Sequence, residues 1–226
     1  MKIEQLLEDI VPTRQYVKLN RKLGHKSELD QRGILGKGKF SVARTDRDPH
    51  MVKKYNYRFD QKDPYNEYIN YIIEYKLTDN PYFPRVYNIK RVDDPDGRTS
   101  YKYTVERLIP YTQLEVQELE AIVTNMFTKD TAATILNSLK FSEKLKISDE
   151  KLKGNIHSDM AFFIQNGLYD NNMKYFKDDN LITALREIRD IVNSSRNNLR
   201  YDMHAGNLMY RRTKYGAQPV ISDPVA

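Results

Sequence analysis

The sequence predicts an α+β protein with two lobes, in which a small antiparallel β lobe with one helix precedes a compact, mainly helical lobe. Three observations support this fold class. Short apolar segments separated by glycine, proline and aspartate turns fill residues 31–110, which is typical of a hairpin sheet. Apolar side chains at helical spacing fill residues 113–196, and strand-like segments return only after residue 200. We therefore expect the β lobe at 31–110 and the helical lobe at 111–226.

Composition and net charge restrict the partners, the chemistry and the location that we expect for this protein. The chain has 226 residues and a formal net charge of +6, which favours acidic partners such as nucleotides. Basic and acidic residues alternate along the chain, so direct nucleic-acid binding is not expected. The absence of cysteine excludes disulfides and thiolate chemistry. No apolar run is long enough for a membrane span or a signal peptide, so we expect no membrane partner and a cytoplasmic location.

Residues 1–30 are predicted to form a helical, basic N-terminal extension. The apolar residues Ile3, Leu6, Leu7 and Ile10 recur at helical spacing before Pro12 interrupts the pattern. We expect this extension to pack on the small lobe, with contact to a partner as the alternative.

A glycine-rich turn joins the first two predicted strands. Gly36 and Gly38 would let the backbone approach phosphate groups, and Ser41 stands where nucleotide-binding loops commonly have a third glycine. Val42 would lie against an adenine ring. A plain β-hairpin produces the same pattern, so the turn alone does not identify a nucleotide site.

The next predicted strand, Met51–Tyr55, contains two adjacent lysines. Alternation places Lys53 on the same face as Met51 and Tyr55, and a lysine beneath the glycine-rich turn would contact the α- and β-phosphates. Lys54 would then face solvent. A shift of one residue in the register would exchange the two lysines.

A helix is predicted from Asp63-Pro64 to about Leu77, because Asp is a favourable N-cap and Pro is favoured in the first turn. A phosphate-binding lysine needs an acidic partner on this helix. Glu67 and Glu74 lie on nearly the same helical face. Glu74 is the better placed of the two relative to the following segment Phe83–Tyr87, and Glu67 stays open. Either could instead be an ordinary solvated charge.

Two further strands, Val86–Arg91 and Tyr101–Arg107, are predicted on either side of an Asp-Pro-Asp-Gly turn. The end of the second strand, which contains Glu106, leads to Pro110, and this segment is predicted to be a hinge whose backbone would bind adenine. The lobe boundary falls there.

The helical lobe shows three apolar stripes. They comprise Leu114, Leu119, Ile122, Val123 and Met126; Ile135, Leu136 and Leu139; and Leu181, Leu185, Ile188 and Val192. Met160, Phe162 and Phe163 are predicted core residues, and Ser142–Lys153 is predicted to be a solvated connection.

Near the C-terminus, two carboxylates and a carboxamide have a spacing that suits phosphoryl transfer. Asp202 and Asn207 flank one short segment, and Asp223 follows a second apolar run. Asp202 would orient the attacking hydroxyl, while Asn207 and Asp223 would bind Mg²⁺ on the phosphates of ATP. The alternative is an ordinary polar turn between two strands.

In their order along the chain, these parts resemble a protein kinase. The sequence is similar to one family in particular, the early host-takeover serine/threonine protein kinases of T-odd (autographivirus-type) bacteriophages. The residues that carry this resemblance are Leu35–Ser41, Val52–Lys53, Phe83–Tyr87, Tyr201–Tyr210 and Ile221–Val225.

The resemblance implies a protein-kinase-like bilobal fold that uses ATP and Mg²⁺. It also implies phosphorylation of host bacterial proteins, RNA polymerase or RNA-processing enzymes among them, in the host cytoplasm, with shut-off of host transcription.

The chain departs from conventional protein kinases at three points. His204 stands where they have a lysine that contacts the γ-phosphate, and it would either bind phosphate or brace the loop. Pro224 follows Asp223 in place of Phe-Gly. Because the chain ends at Ala226, we expect the activation segment and the later helices to be absent.

The leading hypothesis is an ATP-dependent serine/threonine protein kinase of compact, atypical form. The main alternative is a catalytically weak pseudokinase that binds and inhibits a host protein such as a polymerase or a defence factor. A small-molecule kinase of the aminoglycoside type, suggested by His204, is a third possibility.

Overall fold

The computed structural model describes residues 34–37, 41–56, 63–93, 99–137, 139–140, 147–170 and 173–226. The predicted extension at residues 1–30 and Gly38 of the glycine-rich turn lie outside these ranges. The described strands are β1 (Ile34–Lys37), β2 (Ser41–Thr45), β3 (Met51–Asn56), β4 (Val86–Asp93), β5 (Thr99–Glu106), β6 (Leu208–Thr213) and β7 (Gly216–Ile221). The described α-helices are α1 (Pro64–Glu74), α2 (Val116–Met126), α3 (Lys129–Ile135), α4 (Asp149–Asp170) and α5 (Asp179–Ser194). The predicted α+β class is confirmed.

The chain divides into two compact units. One contains the chain up to Asn66 together with Arg85–Arg107, and the other contains Glu67–Pro84 together with Leu108–Ala226. The first turn of α1 therefore belongs to the sheet-containing unit, and the rest of the helix belongs to the helical unit.

The first unit is built on a five-stranded antiparallel sheet with the order β1-β2-β3-β5-β4. One face of this sheet packs on the start of α1. There Tyr103 of β5 is fully buried, and the ring of Tyr65 meets it edge-on at 5.0 Å between centroids. The Tyr103 hydroxyl lies 3.3 Å from a carboxylate oxygen of Asp63 and 3.1 Å from the side-chain oxygen of Asn66. Burial of this hydroxyl raises the pKa of Tyr103.

Helix α1 begins where the sequence predicts. The Asp63 carboxylate accepts the backbone N–H of Tyr65 at 3.2 Å, and Pro64 occupies the first helical position. The helix ends at Glu74, earlier than the predicted Leu77, because Lys76 adopts a left-handed conformation with φ of 54°. A left-handed residue cannot continue a right-handed helix.

The helical unit buries the predicted stripes of α2 and α5. The fully or almost fully buried members are Leu119, Ile122, Val123 and Met126 of α2 and Leu181, Leu185 and Ile188 of α5. Asp178 caps α5 by accepting the N–H groups of Asn180 and Leu181, and it also accepts the hydroxyl of Tyr82 at 2.8 Å. A two-stranded antiparallel sheet of β6 and β7 completes this unit.

The region before α5 corrects the sequence analysis. The predicted solvated connection at 142–153 is wrong in its last part, because α4 begins at Asp149. Phe162, a predicted core residue, is 57% exposed, whereas Met160 is fully buried as predicted. The buried apolar residues of α4 recur every four residues, and because an α-helix turns once in 3.6 residues this line drifts around the helix, so the stripe is weak in the sequence.

None of the described helices is both long enough and apolar enough to cross a membrane.

Candidate functional site

The segment from Asp202 to Asn207 lies beside residues 222–224, which follow strand β7. The backbone N–H of Asp202 donates to the carbonyl of Pro224 at 2.7 Å, and the N–H of Ser222 donates to the carbonyl of Asn207 at 2.8 Å. Asp223 lies between these two bonded residues. The backbone therefore places all three predicted side chains, those of Asp202, Asn207 and Asp223, in one small region of the helical unit.

Hydrogen bonds inside the segment fix its shape. The carbonyl of Asp202 accepts the N–H of His204 at 3.1 Å and the side-chain Nδ2 of Asn207 at 2.5 Å. The N–H of Asn207 donates to the carbonyl of His204 at 2.9 Å. A 3₁₀ turn, Ala205–Asn207, results from this pattern. We call residues 202–207 the acidic loop.

His204 braces the acidic loop, which was one of its two predicted roles. Its Nδ1 accepts the N–H of Gly206 at 3.0 Å. A Cβ at Gly206 would lie 2.8 Å from Cε1 of His204, so a larger residue there would displace the His204 ring from this bond. The other ring nitrogen, Nε2, lies 4.0 Å from a carboxylate oxygen of Asp202.

The reactive groups of the acidic loop remain open to solvent although its backbone is fixed. The side chain of Asp202 is 48% exposed and that of His204 is 59% exposed. A carboxylate on a fixed backbone that a second molecule can reach suits general-base catalysis.

Asn207 and Asp223 suit the magnesium role predicted for them. Because Nδ2 of Asn207 donates to the carbonyl of Asp202, the amide oxygen is the end of that side chain left for a hard cation. Among the described residues, no group of three His, Asp or Glu side chains is arranged to hold a metal ion. Mg²⁺ commonly binds to one or two protein groups together with water and substrate phosphates, so an amide and one carboxylate suffice.

The register of the sheet places the two adjacent lysines on opposite faces. Lys54 pairs with Ala43 of β2 and Tyr103 of β5, so these three side chains share the face that packs on α1. Lys53 pairs with Arg44 and faces the other way.

Each lysine has contacts of its own. Nζ of Lys54 lies 3.3 Å from the centroid of the Tyr65 ring, in the first turn of α1. Nζ of Lys53 lies 3.8 Å from a carboxylate oxygen of Asp46, and both side chains are partly exposed. The lysine that faces the helix is therefore Lys54.

The predicted glycine-rich turn belongs to a β-hairpin. Strands β1 and β2 pair antiparallel, with Gly36 opposite Ala43 and an irregularity in the pairing just before Gly36. Ser41 begins β2, and Val42 is buried, with 5% of its surface exposed. The connection at 38–40, with Gly38, lies outside the described residues.

The two candidate glutamates of α1 differ in their contacts and exposure. The carboxylate of Glu67 accepts the hydroxyl of Ser195, at 3.0 and 3.2 Å to its two oxygens, and Nδ2 of Asn197 at 2.9 Å. It thereby holds the turn between α5 and the acidic loop. Glu74 is exposed at the end of the helix.

Glu106, predicted at the hinge, is a buried carboxylate with a structural contact. Its Oε1 accepts the N–H of Arg85 at 2.8 Å, and its own N–H donates to the carbonyl of Arg85 at 3.0 Å. The next residue, Arg107, donates its N–H to the carbonyl of His50 at 2.8 Å. The Arg107 amide is thus already hydrogen-bonded.

Sequence reasoning missed His157, which contacts the acidic loop directly. Its Nε2 lies 2.7 Å from the carbonyl oxygen of Ala205, and its Nδ1 lies 2.8 Å from the hydroxyl of Tyr210. The only sequence signal was a lone histidine beside the weak apolar stripe of α4, and such a signal does not distinguish a contact from a surface residue.

The chain matches no protein-family model and no curated protein sequence. Its resemblance to the phage kinases therefore stays a prediction, and a function has to be argued from the site.

Proposed function

We propose that this protein transfers the γ-phosphoryl group of ATP to a hydroxyl group, as a compact, atypical serine/threonine protein kinase. The observation that carries the proposal is the acidic loop, where the backbone holds Asp202, Asn207 and Asp223 close together while the Asp202 carboxylate stays exposed.

The roles follow from the chemistry of the transfer. The acceptor oxygen forms a bond to the γ-phosphorus, the bond from that phosphorus to the bridging oxygen breaks, and ADP leaves with the electron pair. The proton of the acceptor hydroxyl passes to the carboxylate of Asp202. Mg²⁺, held through Asn207 and Asp223, would neutralise phosphate charge. His204, through its bond to Gly206, keeps the loop in shape.

In the sheet-containing unit, a lysine would contact the α- and β-phosphates. The sequence favours Lys53, but the register favours Lys54, because the phosphate-binding lysine is expected on the face that packs on the helix. Gly36, Gly38 and Ser41 would cover the nucleotide. Glu67 is bonded to the turn at Ser195, which does not support it as the partner of the lysine.

The acceptors we propose are serine and threonine hydroxyls of host bacterial proteins. This part of the proposal is supported by the resemblance to the phage kinases.

The test is transfer of labelled γ-phosphate from ATP and Mg²⁺ into heat-treated bacterial lysate, in which resident kinases are inactive. Asp202→Asn should lower the rate by about 10²- to 10⁴-fold, the usual contribution of a general base. Its unfolding temperature should hardly change, because about half of the side chain is exposed and the substitution keeps its size. Asp79→Asn, the same change at an exposed aspartate outside the loop, is the matched control and should be fully active.

Analysis of the labelled residues decides the acceptor class, with phosphoserine and phosphothreonine expected. Wild-type protein that is folded but transfers no label, to lysate or to itself, would overturn the proposal in favour of a pseudokinase that acts by binding. Equal transfer by wild type and Asp202→Asn would remove the proposed role of Asp202.

A further inference from the structure

The buried face of α4 contains one polar side chain that directly contacts the acidic loop. His157 is 1% exposed. A buried imidazole loses its hydration and is tolerated only when its nitrogens are hydrogen-bonded. The buried apolar residues of the same helix are Leu152, Ile156, Met160, Ala161, Ile164 and Leu168.

The partners of His157 determine its tautomer. The carbonyl oxygen of Ala205 can only accept, so the hydrogen must be on Nε2, which lies 2.7 Å away. In a neutral ring Nδ1 is then the acceptor, and the hydroxyl of Tyr210 donates to it over 2.8 Å. Burial lowers the pKa of His157, while the bond to Ala205 opposes this shift. Both observations agree with a neutral ring.

The ring is also held by stacking. The Tyr111 ring lies nearly parallel to it, with 4.4 Å between centroids and 21° between planes. Since neighbouring groups fix both its plane and its two nitrogens, His157 has little freedom to reorient.

His157 binds the acidic loop at its midpoint. Ala205 lies between Asp202 and Asn207, and its carbonyl also accepts the N–H of Leu208, which closes the 3₁₀ turn. Tyr210 lies on β6, directly after this turn. The imidazole therefore connects the loop to the strand that leaves it.

We propose that His157 is a positioning residue, which holds the acidic loop in its working conformation by donating from Nε2 to the carbonyl of Ala205. The consequence for phosphoryl transfer rests on the proposed function. The positioning of the acidic loop by His157 does not depend on the proposed function, and it can be measured without a catalytic assay.

Two variants separate the two ring nitrogens. His157→Gln places an amide N–H close to the position of Nε2 and should keep the bond to Ala205. His157→Asn is shorter, reaches only toward Tyr210, and should lose that bond. The pair is matched in polarity and in the loss of the ring, so a difference confined to the acidic loop reports on the contact with Ala205.

The first measurement is amide hydrogen exchange of the full chain, followed at Asn207 and Leu208, with amides in the middle of α5 as the reference. In His157→Asn, exchange at the two loop amides should rise by at least tenfold while the α5 reference stays unchanged. In His157→Gln, both should stay close to wild type.

The second measurement is the rate of phosphoryl transfer at saturating ATP. Partners that orient functional groups commonly contribute about 10- to 100-fold, so kcat of His157→Asn should fall within that range, with KM for ATP little changed. His157→Gln should retain most of the rate.

If hydrogen exchange at the loop amides is unchanged in a folded His157→Asn variant, the positioning role is overturned, whether or not the protein is a kinase. Equal losses in both variants, extending to the α5 reference, would also overturn it and assign His157 to the core alone. Loop exchange that responds as expected in a protein without transfer activity would retain the positioning role and reject the proposed function.

Discussion

The acidic loop and the lysine strand β3 differ in whether the predicted functional side chains are exposed or already in contact with other residues. In the loop, backbone hydrogen bonds fix the chain, and the side chains of Asp202 and His204 remain exposed. In β3, the backbone is a regular strand, and the side chains of Lys53 and Lys54 already contact Asp46 and Tyr65.

This difference shows which parts of a site a sequence can locate. In a loop closed by local bonds, spacing along the chain fixes which residues meet, so the interval from Asp202 to Asn207 was informative. In a strand, a side chain points to one face or the other according to register. Register is set by the partner strands, so Lys53 and Lys54 could be distinguished only when their neighbours were known.

The largest expected effect tests the lysine strand. If Lys54 contacts the phosphates, Lys54→Met should lower the rate of phosphoryl transfer by about 10²- to 10³-fold, the usual cost of removing one charge-stabilising group. Lys53→Met, the matched control on the opposite face, should change the rate by less than about threefold. Steady-state transfer assays on both variants decide between them, and the reverse result would restore the assignment made from the sequence.

A smaller effect is expected where α1 holds the turn before the acidic loop. Glu67→Ala removes the acceptor for Ser195 and Asn197 and should lower the free energy of unfolding by about 1–2 kcal/mol, since the site is partly exposed. Denaturant unfolding measures this change. Glu74→Ala, on the same helix but exposed, should stay within about 0.5 kcal/mol of wild type. Equal effects would show that the bonds to the turn contribute nothing to stability.

The smallest effect concerns pH. Burial lowers the pKa of His157 below its ordinary value of 6.5, so on acidification the unfolded chain binds a proton before the folded protein does. The stability contribution of His157 is therefore full above about pH 6.5 and falls as the pH drops toward the folded-state pKa. Denaturant unfolding of wild type and His157→Gln between pH 8 and 5 measures this pH dependence. The variant should lose less free energy of unfolding on acidification. Identical slopes would contradict a buried neutral imidazole.

The sequence predicted much of the fold for identifiable reasons. Asp63 and Pro64 marked the start of α1, and the stripes of α2 and α5 were buried as expected except at Val192, which is partly exposed. It extended the solvated connection to Lys153, too far along the chain, because α4 begins at Asp149 with polar residues. It was wrong at Phe162, since an aromatic residue on a helix is buried only if a neighbouring element covers it.

By itself, the sequence determined which chemical groups are available and how far apart they lie along the chain. This was enough to locate the segment from Asp202 to Asn207 and to associate Asp223 with it. Only the tertiary structure decided which lysine faces the helix, that Glu67 holds a turn, and that His157 contacts the acidic loop. Those contacts join residues far apart in the chain, and their geometry depends on register and packing, which no local spacing encodes.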